Sequence, residues 1–148
     1  MKAKIFNLVF CFFLAGCAYD PPMGKYYFQI NNNLNNDFYC NISFDRDFFR
    51  IDTPVIYDGL GGVPKQEQTI FLSEKYNSYL GKIEEWKYYC DSSNVKQIHF
   101  RLFKKEVVDS LGWEKGMEEK QILKEFIMTT GHLDSIYWNI DLEEVLGK

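Results

Sequence analysis

The chain has 148 residues, with 17 basic and 21 acidic side chains and a formal net charge of −4 at pH 7. This length suits one domain with a single hydrophobic core. The acidic balance makes nucleic acid and anionic lipid head groups poor candidates for a partner.

The first 17 residues have the layout of an export signal. Lys2 and Lys4 precede a mostly apolar stretch at 5–14, which is too short to span a membrane, and Leu14-Ala15-Gly16-Cys17 follows. This ending resembles the lipobox of bacterial lipoproteins. The resemblance implies cleavage before Cys17, a lipid such as palmitate on its sulfur, and acylation of the new N-terminus.

The resemblance to a lipobox divides the chain into three parts. We expect a lipoprotein signal peptide at 1–16, a lipid-anchored tether at 17–25 and one globular domain at 26–148. Loss of Lys2 and Lys4 brings the net charge to about −6. Ala18 stands where inner-membrane lipoproteins typically carry Asp, which favours the outer membrane. Because no acidic run follows Cys17, we expect the periplasmic side over the cell surface.

Two cysteines remain once Cys11 is removed with the signal and Cys17 carries lipid. In an oxidising compartment an even pair favours a disulfide, so we predict a Cys40–Cys90 bond. It would close a loop of roughly 50 residues and stabilise the fold by about 2–4 kcal/mol. The alternative is two unpaired buried thiols. A metal site is less favoured, because neither cysteine has a second ligand at metal-binding spacing.

From residue 26 onwards the patterns predict a β-rich domain. Strands are expected at 26–30, 38–44, 68–72, within 95–108, at 125–129 and at 137–142, with a brief one at 48–51. The polar turn at 31–37 is expected to join the first two strands into a hairpin. Helical turns are expected after Ser73, at 83–89, at 113–123 and after Thr130. The fold class is therefore α+β, a small antiparallel sheet with two or three short helices, with a β-sandwich as the alternative.

Two stretches, 31–44 and 98–140, together resemble small uncharacterised lipoproteins of Bacteroidetes. The shared elements are an Asn-rich start, Trp113-Glu114, Ile122-Leu123-Lys124, Leu133-Asp134 and a closing strand with Trp138. His132-Leu133-Asp134-Ser135 departs from the Leu-rich turn of those proteins. The resemblance implies a shared fold and brings no known activity. In that lineage Asp109-Ser110-Leu111 and Asp134-Ser135-Ile136 would match an O-glycosylation pattern.

Residues suited to chemistry are few. His99 and His132 are the only histidines; we expect His99 to be a half-exposed strand residue, and His132 lies in a turn beside Asp134. The loop with Asp45, Asp47, Asp52 and Asp58 lacks the order of a calcium loop, and 58–62 lacks a phosphate-binding fingerprint. We therefore predict no catalytic residue, no cofactor and no metal site.

These observations favour a lipid-anchored envelope protein that acts as a non-enzymatic binding or accessory module. One alternative is a periplasmic inhibitor or immunity protein against a toxin or a wall hydrolase; another is an enzyme of unknown type. Aromatic residues make up 18% of the chain. We expect about half of them in the core and the others scattered over the surface. The alternative is a defined patch of exposed Tyr and Trp that binds a protein or a glycan.

Overall fold

The computed structural model describes residues 26–44 and 67–147. Within them seven strands form: β1 (Tyr27–Asn32), β2 (Phe38–Ser43), β3 (Glu67–Leu72), β4 (Tyr76–Lys82), β5 (Gln97–Lys104), β6 (Lys124–Thr129) and β7 (Asn139–Asp141). The same residues include five short α-helices and one 3₁₀ turn: α1 (Ile83–Ser92), α2 (Lys105–Leu111), α3 (Trp113–Gly116), the 3₁₀ turn (Glu119–Gln121), α4 (Thr130–Ser135) and α5 (Leu142–Leu146).

The strands form two sheets. The first has the order β4-β1-β7, in which β1 runs antiparallel to β4 and parallel to β7. The second has the order β3-β2-β5-β6 and is antiparallel throughout. The predicted α+β class is confirmed, with more short helices in the described part of the chain than the two or three expected.

An aromatic cluster fills the core between the sheets. Phe28 of β1 contacts Trp86 of α1 and Trp138 edge to face, with ring centroids 5.0 and 5.2 Å apart. Phe100 of the second sheet lies 6.3 Å from Phe28. Trp86 and Trp138 are both fully buried. Since edge-to-face pairs add to the stability gained by burial, these rings join both sheets into one core.

The predicted hairpin of the first two strands is wrong, because β1 and β2 belong to different sheets. The reason is Asn32, a buried residue at the end of β1. Its side-chain amide lies within hydrogen-bond distance of the carbonyl oxygens of Asn36, Leu72 and Ser73, at 2.8, 3.2 and 3.0 Å. The amide thereby links the β1–β2 turn to the β3–β4 turn, both of which connect one sheet to the other. The chain therefore passes into the second sheet after β1 instead of pairing back onto it.

Several other elements differ from the prediction in extent. β4 occupies the residues predicted as a helix after Ser73, because it pairs with β1 from Asn32–Tyr76 to Tyr27–Lys82. β5 ends at Lys104, inside the stretch 95–108, and α2 follows. The helix predicted at 113–123 is split into α3 and the 3₁₀ turn, and the last strand is only three residues long.

Other elements lie where the sequence placed them. The strands predicted at 68–72 and 125–129 are β3 and β6, and the helix predicted over 83–89 is α1. The cap of α4 is Thr129, one residue before the predicted Thr130, and its hydroxyl accepts from the His132 main-chain N–H at 3.0 Å. The signal, the tether and the strand predicted at 48–51 lie outside the described residues.

The strands give the molecule two distinct ends. At the entry end, where β1 begins, the Ile83 N–H donates to the Tyr26 carbonyl at 2.9 Å, and Phe44 after β2 stacks on Tyr89 of α1. At the distal end lie the turns 33–37 and 73–75, which Asn32 ties together. None of the described helices is long and apolar enough to cross a membrane.

Candidate functional site

A cleft opens at the distal end, where three segments far apart in sequence come together. Its lining residues come from the β1–β2 turn, the β3–β4 turn and the junction of β5 with α2: Asn35, Asn36, Asp37, Glu74, Lys104, Lys105, Glu106 and Asp109. We call this site the distal cleft. Its volume of about 370 Å³ lies in the range of small-ligand pockets.

Asp37 holds the three segments of the distal cleft together. Its carboxylate accepts from the Glu74 main-chain N–H at 2.8 Å, and its carbonyl accepts from the Lys105 N–H at 3.1 Å. Asp suits this position because a short carboxylate readily accepts from nearby backbone in turns. The geometry of the cleft therefore depends on one side-chain bond and one main-chain bond of the same residue, both to backbone N–H groups.

Negative charge predominates in the lining. Four carboxylates face two ammonium groups, and both lysines are paired: Lys105 binds Asp109 one helical turn away, and Lys104 lies 3.6 Å from Glu106. These pairs are partly exposed, so each contributes little to stability. The remaining negative charge, together with the Asn35 and Asn36 amides, can accept hydrogen bonds from a cationic polar group.

The titration of Lys105 and Tyr39 follows from this surrounding. The hydrogen bond to Asp109 raises the pKa of Lys105 above its usual value, so its ammonium stays charged at neutral pH. Burial raises the pKa of Tyr39, and the carboxylates of Asp109 and Asp37 act in the same direction. Both groups therefore keep their protons at neutral pH.

A second polar feature is a row of side chains on the outer face of the four-stranded sheet. In register across the strands stand Thr69, Asn41, Arg101 and Glu125. The Asn41 amide donates to the Thr69 hydroxyl at 3.2 Å, and the Arg101 guanidinium lies 3.4 Å from the Glu125 carboxylate. Cross-strand pairs of this kind stabilise a sheet and fix its register.

His99 lies on the same outer face and corrects an expectation. It is only 7% exposed, whereas the alternation of β5 indicated a half-exposed residue. All six interior residues of β5 are buried. The strand lies between β2 and β6, and both faces of the sheet are covered at this position. Near Lys104 that cover is a second apolar cluster formed by Phe103, Val108 and Met117.

Asp134 has a structural role, and His132 is exposed. The Asp134 Oδ1 atom accepts from the Trp138 indole at 2.7 Å and lies 2.7 Å from the Lys87 ammonium. These two hydrogen bonds lower the pKa of Asp134 below its usual value. The carboxylate therefore joins α1, α4 and the core tryptophan.

Cys40 and Cys90 are both free and buried, and the predicted disulfide is absent from the structure. Cys40 lies opposite Leu102 of β5, whereas the Cys90 carbonyl accepts from Val95 before β5 begins. The five strand residues from Ile98 to Leu102 alone span roughly 13 Å, and a disulfide requires Cα atoms within about 7 Å. The two thiols thus lie at different levels of one core.

Cys17, the predicted lipidation site, and the acidic loop 45–58 both lie outside the described residues. Among residues 26–44 and 67–147 no cluster of three or more His, Cys, Asp or Glu side chains is placed to hold a metal ion. The distal cleft was missed from the sequence. Its three segments lie at least 30 residues apart, and no local pattern signals that they meet.

No known protein family matches the chain, and neither a curated protein nor a solved structure is significantly similar to it. The lipobox at 14–17 and the resemblance to Bacteroidetes lipoproteins therefore remain predictions from the sequence.

Proposed function

We propose that the protein is a lipid-anchored, non-enzymatic binding module of the cell envelope, attached through Cys17 and binding its partner in the distal cleft. The observation that carries the proposal is the position of this cleft. The described domain begins at Tyr26 at the entry end, and the cleft opens at the opposite end of β1. A chain anchored ahead of Tyr26 would present that cleft away from the membrane.

The charge of the cleft suggests the chemistry of its ligand. Four carboxylates against two paired lysines favour a cationic group, such as a lysine or arginine side chain of a protein partner. The overall acidic charge of the chain acts in the same direction by steering basic partners toward it.

The anchor is tested by labelling the full chain with palmitate in a bacterial host. We expect label on the membrane-bound protein and its loss in Cys17→Ala, because the lipid is attached to that sulfur. Label retained in Cys17→Ala would contradict the anchor.

The cleft is tested with two charge-matched double variants and an immobilised oligolysine peptide as the probe. Glu74→Gln with Glu106→Gln removes two carboxylates from the cleft, and Glu84→Gln with Glu85→Gln removes two from α1 at the entry end. We expect the first pair to weaken binding several-fold and the second pair to have little effect. Equal losses would show that binding depends on net charge alone, and would contradict a site in the cleft.

A further inference from the structure

The entry end has three exposed tyrosines. Tyr88 and Tyr137 are 77% and 78% exposed, and Tyr26 is 51% exposed. They belong to the most exposed large hydrophobic residues of the described part of the chain. We call the surface formed by Tyr26, Tyr88 and Tyr137 the tyrosine surface.

The hydrogen bonds of the surrounding elements place all three tyrosines at one end. Helix α1 lies across the entry end, because Ile83 at its start bonds to the Tyr26 carbonyl and Cys90 near its end bonds to Val95 just before β5. Tyr88 is on this helix. The neighbouring Lys87 pairs with Asp134, whose carbonyl accepts from the Tyr137 N–H at 3.1 Å.

The backbone at Tyr137 is held in an unusual conformation. Tyr137 and Trp138 have φ values of +53° and +55°, in the left-handed region that residues with a Cβ rarely adopt. Trp138 is fixed by its indole bond to Asp134 and by the bond from the Gln29 N–H to its carbonyl at 3.0 Å. One ring of the pair is thus buried while the Tyr137 ring is exposed. Backbone strain of this kind is concentrated at functional positions.

The distance to the proposed anchor suggests what meets this surface. Cys17 lies nine residues before Tyr26. Nine residues span at most about 30 Å when fully extended. A domain of this size is roughly 35 Å across. This reach is shorter than the width of the domain, so an anchor at Cys17 would hold the entry end near the bilayer.

We propose that the tyrosine surface docks against the interfacial region of the bilayer when the chain is anchored; this rests on the anchor in the proposed function. Tyrosine suits that region because its ring is apolar and its hydroxyl is polar. The surrounding charges are mixed, with Lys87 exposed beside Glu84 and Glu85, so attraction to anionic lipids is not the source of the contact. The contact orients the distal cleft toward the periplasmic space.

The chain offers a matched control in Tyr76. It is 63% exposed, yet it pairs with Asn32 at the distal end of β1. We would place the photo-crosslinking residue p-benzoylphenylalanine at position 88, 137 or 76 of the full chain. The membrane-bound protein would be irradiated in phosphatidylethanolamine vesicles, and the adducts would be identified by mass.

We expect lipid adducts several-fold more abundant at 88 and 137 than at 76, and little change in high salt. A triple variant, Tyr26→Ser, Tyr88→Ser and Tyr137→Asn, keeps the buried core intact, since all three side chains are exposed. We expect it to expose α1 to protease in vesicles, whereas Tyr76→Ser does not.

Two results would overturn the docking while leaving the anchor intact. One is an equal yield of lipid adducts at all three positions of a lipidated chain. The other is adducts at positions 88 and 137 that form with a protein instead of with lipid. The intact mass of the mature chain reports the anchor separately. A mature chain without lipid would overturn the proposed function, and the docking with it.

Discussion

Asp134 shows how one exposed carboxylate can hold a buried residue in place. The Trp138 side chain is almost completely buried, and a buried indole N–H without an acceptor is costly. The Asp134 Oδ1 atom provides that acceptor at 2.7 Å while also pairing with Lys87. From the sequence, Asp134 was only a neighbour of His132 in a turn, with no catalytic role predicted for either, and its contacts with Trp138 and Lys87 come from the structure.

We expect Asp134→Ala to lower the free energy of unfolding by about 1–3 kcal/mol at pH 7, because it leaves the Trp138 indole without its acceptor. Asp134→Asn keeps an acceptor oxygen and loses only the exposed Lys87 pair, so its cost should be about 0–1 kcal/mol. Urea unfolding of both variants checks this. Equal losses in the two variants would contradict a role for the indole bond.

The same carboxylate gives a pH dependence of known sign. Its pKa is lowered in the folded state by the bonds to Lys87 and Trp138, so its stabilising effect is complete above the usual Asp pKa of about 3.9. That effect is lost as the pH falls through the lower pKa of the folded state. The difference in the free energy of unfolding between the wild-type chain and Asp134→Asn should therefore become smaller as the pH falls. A difference that grows in acid would contradict this prediction.

At the scale of elements, Gly116 sets the distance between α2 and α3. A Cβ atom at Gly116 would lie 2.4 Å from the Cα of Val108, a contact that the backbone cannot accept without shifting. By helix propensity alone, this glycine weakens its helix by about 1 kcal/mol relative to Ala. The close approach of the two helices explains why it is present.

We expect Gly116→Ala to lower the free energy of unfolding by about 1–3 kcal/mol through overpacking, despite the better helix propensity of Ala. Gly131 in α4 is the matched control, because a Cβ there meets nothing within 4 Å. Gly131→Ala should be neutral, or stabilising by up to about 1 kcal/mol. Thermal unfolding compares the two, and a Gly116→Ala chain as stable as the wild type would contradict the packing role.

Most elements of this fold could be predicted from local patterns, and their partners could not. The residues of β2, β3 and β6 alternate or lie between turn residues, so their strands follow from the sequence. The pairing of β1 with β4 and β7 brings together residues far apart in the chain. The turn at 33–37 predicts a reversal of the chain, but Asn32 bonds this turn to the distant residues Leu72 and Ser73, and that contact decides which sheet the chain enters.

The site was less predictable than the fold. A patch of exposed tyrosines was only the alternative to scattered aromatic residues, and its location at the entry end depends on how α1 lies across the strands. The distal cleft depends on Asp37 bonding to Glu74 and Lys105, contacts that no spacing in the sequence indicates. Burial of His99 likewise depends on cover supplied to the outer face of β5 by tertiary packing.

At the scale of the whole molecule, the redox state of the two cysteines determines whether a covalent bond or packing alone holds the fold together. Cys40 and Cys90 contribute to one core that spans both sheets and α1. Burial raises the pKa of both thiols, that of Cys90 to about 11 with help from Asp91. Both thiols should therefore stay protonated and react slowly at neutral pH while the protein is folded.

We expect alkylation without reductant to modify both cysteines fully in denaturant and hardly at all in the native protein. Peptide mapping by mass assigns the label to Cys40 and Cys90 individually, whatever the state of Cys17. A parallel sample with reductant should show the same labelling, because the packing of Phe28, Trp86 and Trp138 links the sheets without a covalent bond. Labelling that required reductant would establish the disulfide that the sequence predicted, and would mean that α1 lies closer to Cys40 than in this structure.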